Sequence, residues 1–213
     1  MTARPPSLLD IVKAPQTASP LAASALLLID AQEEYRLGRL KLDGIEPAIA
    51  EAARLLDLAR RSALPVFHIV QHAKAGSPIF DPEGPMVAIV EALRPQPGEP
   101  VVVKSLPNAF AKTDLHERIA ATGRRELVIA GFMTHMCVSA SARAATDLGY
   151  RNTVVAHATA TRDLPDPLGG VIAAGTVKRA ALAMLADRFA IVVPDSEALI
   201  AAQPLAALAV TSE

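Results

Sequence analysis

Apolar residues fall into short continuous runs separated by stretches of helical spacing, and the two alternate along most of the chain. Residues 25–29, 65–70, 101–103, 127–130, 153–156 and 190–193 are compact apolar runs, the form of strands buried on both faces in a parallel sheet. Between the first two, residues 47–63 carry apolar side chains at 48, 49, 52, 55, 56 and 59, the spacing of one helix face. Further helices are predicted over 113–122 and 135–148, closed by Gly123 and Gly149, over 170–186, and over 196–202 with Ser196 as N-cap. This order predicts an α/β fold: a doubly wound, three-layer α-β-α sandwich around a six-stranded, mostly parallel sheet.

Two stretches break the rhythm. Residues 73–100 hold six prolines and three glycines and are too long for an ordinary connection, so a functional loop or lid is expected there, with a short helix over 86–93. Residues 1–22 carry Pro5, Pro6, Pro15 and Pro20, which forbid a long helix and predict an extended arm. The expected division is an arm over 1–22, one α/β domain over 23–202 and a C-terminal tail over 203–213. The arm and the apolar residues 205–210 invite subunit contacts, so a homo-oligomer, dimer or tetramer, is expected.

Composition narrows the function classes. With 213 residues and 51% hydrophobic positions the chain can bury a full core, and disorder is excluded. Cys137 is the single cysteine, so no disulfide framework exists. Balanced charge, 21 basic against 22 acidic residues, leaves no surplus to grip nucleic acid or a membrane surface. No apolar run reaches membrane-spanning length, and residues 1–20 lack the apolar core of a signal peptide. A cytoplasmic protein with a reduced thiol is expected.

In an open parallel sheet, ligands bind beyond the carboxyl ends of the strands. The first run ends at Asp30, the third at Lys104, and the fourth at Gly131, six residues before Cys137. An acid, an amine and a thiol thus arrive at one edge. A helix start and a nearby ammonium both stabilise a thiolate, and a carboxylate can accept and return its proton. Taken singly, Asp30 also suits a turn, Lys104 a solvated strand end and Cys137 a small buried hydrophobe; it is their convergence that favours chemistry.

Three segments strengthen this reading. LLLIDAQEEY (26–35), VVVKSLPNAF (101–110) and LVIAGFMTHMCVSASARAATDLGY (127–150) resemble, in order and spacing, the Asp-x-Gln opening, the lysine strand and the Gly-x-x-Thr-x-x-Cys-Val nucleophile motif of the isochorismatase-like cysteine hydrolases. The resemblance spans residues 22–200. It implies a catalytic triad of Asp30, Lys104 and Cys137, a cis peptide between Phe132 and Met133, and an oxyanion hole made by the backbone N–H groups of Met133 and Cys137. It further implies a small-molecule amide or ureido substrate, cleaved at its C–N bond through a Cys137 thioester. Thr134 is expected to fasten the nucleophile loop. Gln32, Phe80, Asn108, Phe110, Phe132, Thr134 and His135 are the expected substrate-binding residues. Lys104 is expected to matter more to chemistry than to folding, and Cys137 to react with iodoacetamide near neutral pH.

Departures from the resemblance sharpen it. Isochorismate-cleaving members lack the cysteine and protonate a vinyl ether through the Asp alone; Cys137 argues against that chemistry here, although it stands as the alternative, together with a non-catalytic binding protein on the same fold. Zinc-binding relatives carry an Asp-x-His pair between the first two strands, where this chain has no histidine. His68 and His72 lie along or just past a strand, where four residues span ~13 Å, too far for one ion. No metal and no cofactor are therefore expected. Arg162, after the fifth run, is assigned an ion pair with Asp163 or a subunit contact. Nucleotide-binding glycine motifs are absent.

Overall fold

The computed structural model describes residues 4–203. The helical turn α1 (Leu8–Ile11) precedes β1 (Ser24–Ile29), α2 (Ile45–Arg61), β2 (Val66–Gln71), β3 (Val101–Lys104), α3 (Leu115–Ala121) and β4 (Glu126–Phe132). Then follow α4 (Ser139–Asp147), β5 (Arg151–Ala160), the two-residue strands β6 (Leu164–Pro165) and β7 (Val171–Ile172), α5 (Ala174–Arg188), β8 (Ile191–Val193) and α6 (Ser196–Ala201). Six strands form one sheet in the order β3-β2-β1-β4-β5-β8, and every pair in it is parallel.

Each strand face feeds a different core, as a period of two requires. Leu26 and Leu28 of β1 pack with Ala52, Leu55, Leu56 and Ala59 of α2 on one face. Ala25, Leu27 and Ile29 pack with Leu115 and Ile119 of α3, Ala142 and Ala145 of α4 and Leu185 of α5 on the other. Strand order reverses about β1, because β2 and β3 lie to one side of it and β4, β5 and β8 to the other. The crevice at this reversal is where the ends of β1 and β4 open together.

Several local expectations are corrected. Residues 170–173 are not helical: β6 and β7 form a small antiparallel hairpin closed by Gly169 and Gly170, both at positive φ, and α5 starts at Ala174. Residues 86–93 form two separate 3-10 turns, Pro85–Val87 and Glu91–Leu93, because the intervening chain bridges Ile89 to Gln32. The 73–100 segment packs as a strap, with Phe80, Val90 and Leu93 buried. The arm has one helical turn, α1, capped reciprocally by Ser7 and Asp10. It ties to the body through Leu8 N to Asp187 and Ser19 N to Thr153 Oγ1. Residues 205–210, the apolar tail, lie outside the described residues.

A charged knot holds the strap to the sheet. Glu99 accepts two bonds from Arg60, at 2.8 and 2.9 Å, one from Gln96 N and one from His68 Nε2 at 3.0 Å. Burial works against its charge, but Arg60, the Gln96 N–H and His68 overcome that and hold Glu99 at about 2. Buried His68, expected as a core or rim histidine, is kept below its usual range by desolvation. A carboxylate whose folded pKa is depressed stabilises above its unfolded value and loses that contribution as pH falls. Denaturant melts should therefore show stability dropping as pH falls from ~4.3 towards the folded value. Glu99→Gln should lower the neutral plateau and flatten that slope; an unchanged slope would remove Glu99 from the knot.

Candidate active site

Asp30 is the residue after β1, and it turns the chain with φ 51°, a left-handed conformation that Asp tolerates better than most residues. Lys104 closes β3, and Cys137 lies in a five-residue π-helical turn (Thr134–Val138) that leads from β4 into α4. π-Helical turns recur at functional sites, where they re-aim single side chains. The helix expected to begin at His135 is thus irregular for its first turn. The close approach of β4 to β1 depends on Gly131: at φ 118°, a Cβ there would collide with the Ile29 carbonyl.

These elements bring the three expected catalytic side chains together. The Lys104 ammonium lies 2.8 Å from Asp30 Oδ2 and 3.5 Å from Cys137 Sγ, with Asp30 and Lys104 side chains at 0% exposure. Its aligned hydrogen bonds go to Cys137 and to Gln71 Oε1 at 2.6 Å. Contact with Asp30 is close but poorly aligned, so neither carboxylate oxygen has an in-line donor. An ion pair without hydrogen-bond saturation leaves Asp30 lone pairs free to take a proton.

Burial sets the titration. It raises the Asp30 carboxyl above its ordinary value, against the pull of Lys104. Burial and the Asp30 carboxylate push the Cys137 thiol up to about 12, with Lys104 pulling the other way. Desolvation outweighs the ammonium and favours the thiol at rest, against the expectation of a thiolate reactive near neutral pH. Moving the thiol proton to Asp30 beside a fixed ammonium leaves one anion and one cation before and after. No net charge is buried by the transfer, so it costs far less than ionising the thiol to bulk water.

The peptide between Phe132 and Met133 is cis. Thr134 fastens the loop as expected, donating from Oγ1 to the Ala160 carbonyl at 3.1 Å, and is fully buried. His135 Nδ1 meets Thr161 Oγ1 at 2.6 Å, and burial and then Arg162 keep the imidazole below its usual range.

Other expected substrate contacts are redistributed. Gln32 is buried and fully used: Nε2 donates to the Gln71 and Val87 carbonyls at 3.1 and 2.8 Å, and Oε1 accepts from Gln71 N at 2.8 Å. Phe80 and Phe132 pack edge-on to Tyr35, with ring centroids 5.3 and 6.0 Å away. Asn108 and Phe110 line a surface depression with His116, Glu117 and Leu148, to which no triad residue contributes; Asn108 Oδ1 accepts Phe110 N, a turn bond.

Three residues that sequence reasoning did not place at the site adjoin it. Gln71 ends β2 in register with Lys104. Tyr35 is buried, and desolvation, with Asp30 and Cys137 next, raises its hydroxyl pKa. Arg162 follows Ala160, which pairs with Phe132, and its charge reaches both Tyr35 and His135. The expected pair with the Asp163 carboxylate is absent: Arg162 Nη1 donates to the Asp163 main-chain carbonyl, while Asp163 Oδ1 accepts Ala174 N. Arg162 Nε is buried without a partner, and among the described residues no carboxylate pairs with this guanidinium. Among those residues, no group of three His, Cys, Asp or Glu could hold a metal ion, and no helix is long and apolar enough to cross a membrane.

A family model described as the isochorismatase domain matches residues 24–196. A secreted isochorismatase effector of Verticillium dahliae is 38% identical over 86% of this chain and 93% of its own length. A maleamate amidohydrolase of Pseudomonas putida is 34% identical over 65% of this chain and 72% of its own. Among solved structures, an isochorismatase from Pseudomonas putida superposes with a TM-score of 0.85 at 41% identity, covering 90% of this chain and 97% of that one.

Proposed function

The chain belongs to the isochorismatase family of hydrolases, and from that premise we propose that it is a cysteine amidohydrolase acting on a small amide or ureido compound. One observation carries the reading: the Lys104 ammonium bridges a buried carboxylate and the only thiol, at 2.8 and 3.5 Å. A similar protein is named an amidohydrolase, which supports C–N rather than ether chemistry.

In the proposed cycle the Cys137 proton passes to Asp30 as the sulfur attacks the carbonyl carbon. Charge develops on the carbonyl oxygen, which the N–H groups of Met133 and Cys137 receive. Collapse breaks the C–N bond, and Asp30 returns its proton to the leaving nitrogen. Water then adds to the thioester, giving its proton to Asp30; the acid leaves and Cys137 recovers the proton. Lys104 stays positive throughout and holds the one anion of the site, whether carboxylate or thiolate.

Arg162 bears on which amide is taken. A partly buried guanidinium without a carboxylate is matched by an anionic group on the substrate. The experiment is a panel of primary amides and ureido compounds, each with and without a carboxylate, scored for ammonia release. Turnover should concentrate on carboxylate-bearing members. Arg162→Gln should raise KM for these by ~10- to 100-fold, the loss of one charge-assisted contact, and leave neutral analogues unchanged. Ammonia release from no member would overturn the amidohydrolase reading; equal use of charged and neutral members would remove Arg162 from substrate recognition.

A further inference from the structure

We infer that Gln71 is a positioning residue of this site: its side-chain carbonyl aims the Lys104 ammonium at Cys137, and Gln32 holds Gln71 in place for that task. The inference rests on the reading of Asp30, Lys104 and Cys137 as one chemical unit.

The sheet order creates the need. β3 is the edge strand, and β2 separates it from β1. Lys104 must therefore reach across a whole strand to meet Asp30, with a side chain that has four rotatable bonds and many competing rotamers. Gln71 sits at the end of that intervening strand, directly beside Lys104 in register. Its Oε1 takes one ammonium proton at 2.6 Å, shorter than the 2.8 Å contact to Asp30. A second N–H is then aligned on Cys137 at 3.5 Å, while Asp30 Oδ2 stays 2.8 Å from the nitrogen as a charge contact outside the donor directions.

The amide of Gln71 has a defined orientation. Its Nε2 donates to the His72 carbonyl at 3.3 Å, so Oε1 is the end that faces Lys104. An amide oxygen only accepts, so it adds no charge that would compete with Asp30 and Cys137 for the cation. A carboxylate at this position would compete; an apolar side chain would leave one buried N–H unsatisfied and the lysine free to change rotamer.

The support continues one layer out. Gln32 clasps the main chain of Gln71 from both sides, accepting from its N–H and donating to its carbonyl. The second Gln32 proton goes to Val87 O in the strap, and Glu33 N to Ala88 O and Val90 N to Ala31 O extend the same seam. Lys104 is thereby linked, through two neutral amides, to the seating of the 73–100 strap.

The test is a double-mutant cycle read by alkylation of Cys137, which needs no substrate. Rates with iodoacetamide would be measured near pH ~9, where the thiolate fraction sets the rate, for wild type, Gln71→Met, Lys104→Met and the double variant. Gln71→Met should slow alkylation by ~3- to 10-fold, up to about one unit of thiol pKa. In the Lys104→Met background it should have no further effect, because Gln71 acts through the lysine. Gln32→Met should fall between wild type and Gln71→Met. Thermal melts identify any variant that fails to fold, and Gln71→Asn, which keeps the acceptor on a shorter arm, should recover part of the rate. A Gln71→Met rate equal to wild type, or an equal slowing with and without Lys104, would overturn the inference. Either result would stand apart from the fate of the amidohydrolase reading, which the ammonia panel decides.

Discussion

Cys137→Ala should lose amide hydrolysis by about 10⁴-fold or more, the scale on which removal of a triad nucleophile is felt when the remaining groups act only as a unit. Cys137 is 5% exposed and packs as a small apolar side chain, so the alanine variant should fold with a modest loss of stability. Cys137→Ser should be equally inactive, because an alkoxide is harder to form than a thiolate and Asp30 is the same base. The alanine variant also separates the family's two chemistries. Cleavage of isochorismate that survives in Cys137→Ala would assign the site to ether hydrolysis through Asp30 alone.

Lys104→Met should reduce turnover by at least ~100-fold, since it removes the one fixed positive charge beside the developing anion. It should also bear on folding, contrary to what the sequence alone leads one to expect. Lys104 and Asp30 are both at 0% side-chain exposure, and breaking a buried pair leaves an uncompensated charge. Asp30 already titrates above its ordinary value because of burial, and loss of the ammonium raises it further. A carboxyl whose folded pKa lies above its unfolded value stabilises in acid and loses that stability as pH rises. The stability of Lys104→Met should therefore approach wild type below the unfolded carboxylate pKa of ~3.9 and decline as pH rises from there to the raised folded value. Asp30→Asn added to Lys104→Met should restore the melting temperature at neutral pH and leave activity absent. Equal stability of Lys104→Met and wild type from acid to neutral pH would mean that Asp30 carries no buried charge.

Much of the architecture was legible because each strand is a short run of apolar residues buried on both faces, with Ala25, Leu27 and Ile29 serving one core and Leu26 and Leu28 the other. What misled was local. Residues 170–173 continue an apolar and small-residue pattern into α5, yet paired glycines at 169 and 170 favour a hairpin. Residues 86–93 look helical in spacing, but Val87, Ile89 and Val90 are β-branched, and the backbone here pairs with Ala31 and Gln32 instead.

At the site, Asp30, Lys104 and Cys137 were visible because strand ends point to a common edge whatever the strand order. Gln71 was not, because its value depends on β2 lying between β1 and β3, which is a fact of topology. Gln32 carried the right signal, a polar residue beside Asp30, but its amide is consumed by the backbone of β2 and the strap. Asn108 and Phe110 follow Lys104 closely in sequence, yet the chain after β3 turns onto α4, where Ala109 N donates to Ser141 Oγ. Arg162 was assigned to the carboxylate next to it in sequence, and that carboxylate instead caps α5.

The central claim is that acyl transfer passes through a bond to Cys137, and the most direct test is to catch that bond. Whichever amide of the panel releases ammonia fastest would be mixed with the protein, quenched in acid during turnover, and the intact mass and the Cys137 peptide measured. The predicted result is an added mass equal to the acyl group of that amide, located on Cys137, absent in Cys137→Ala and reduced in Lys104→Met. Steady ammonia release with Cys137 unmodified at every quench time would contradict it.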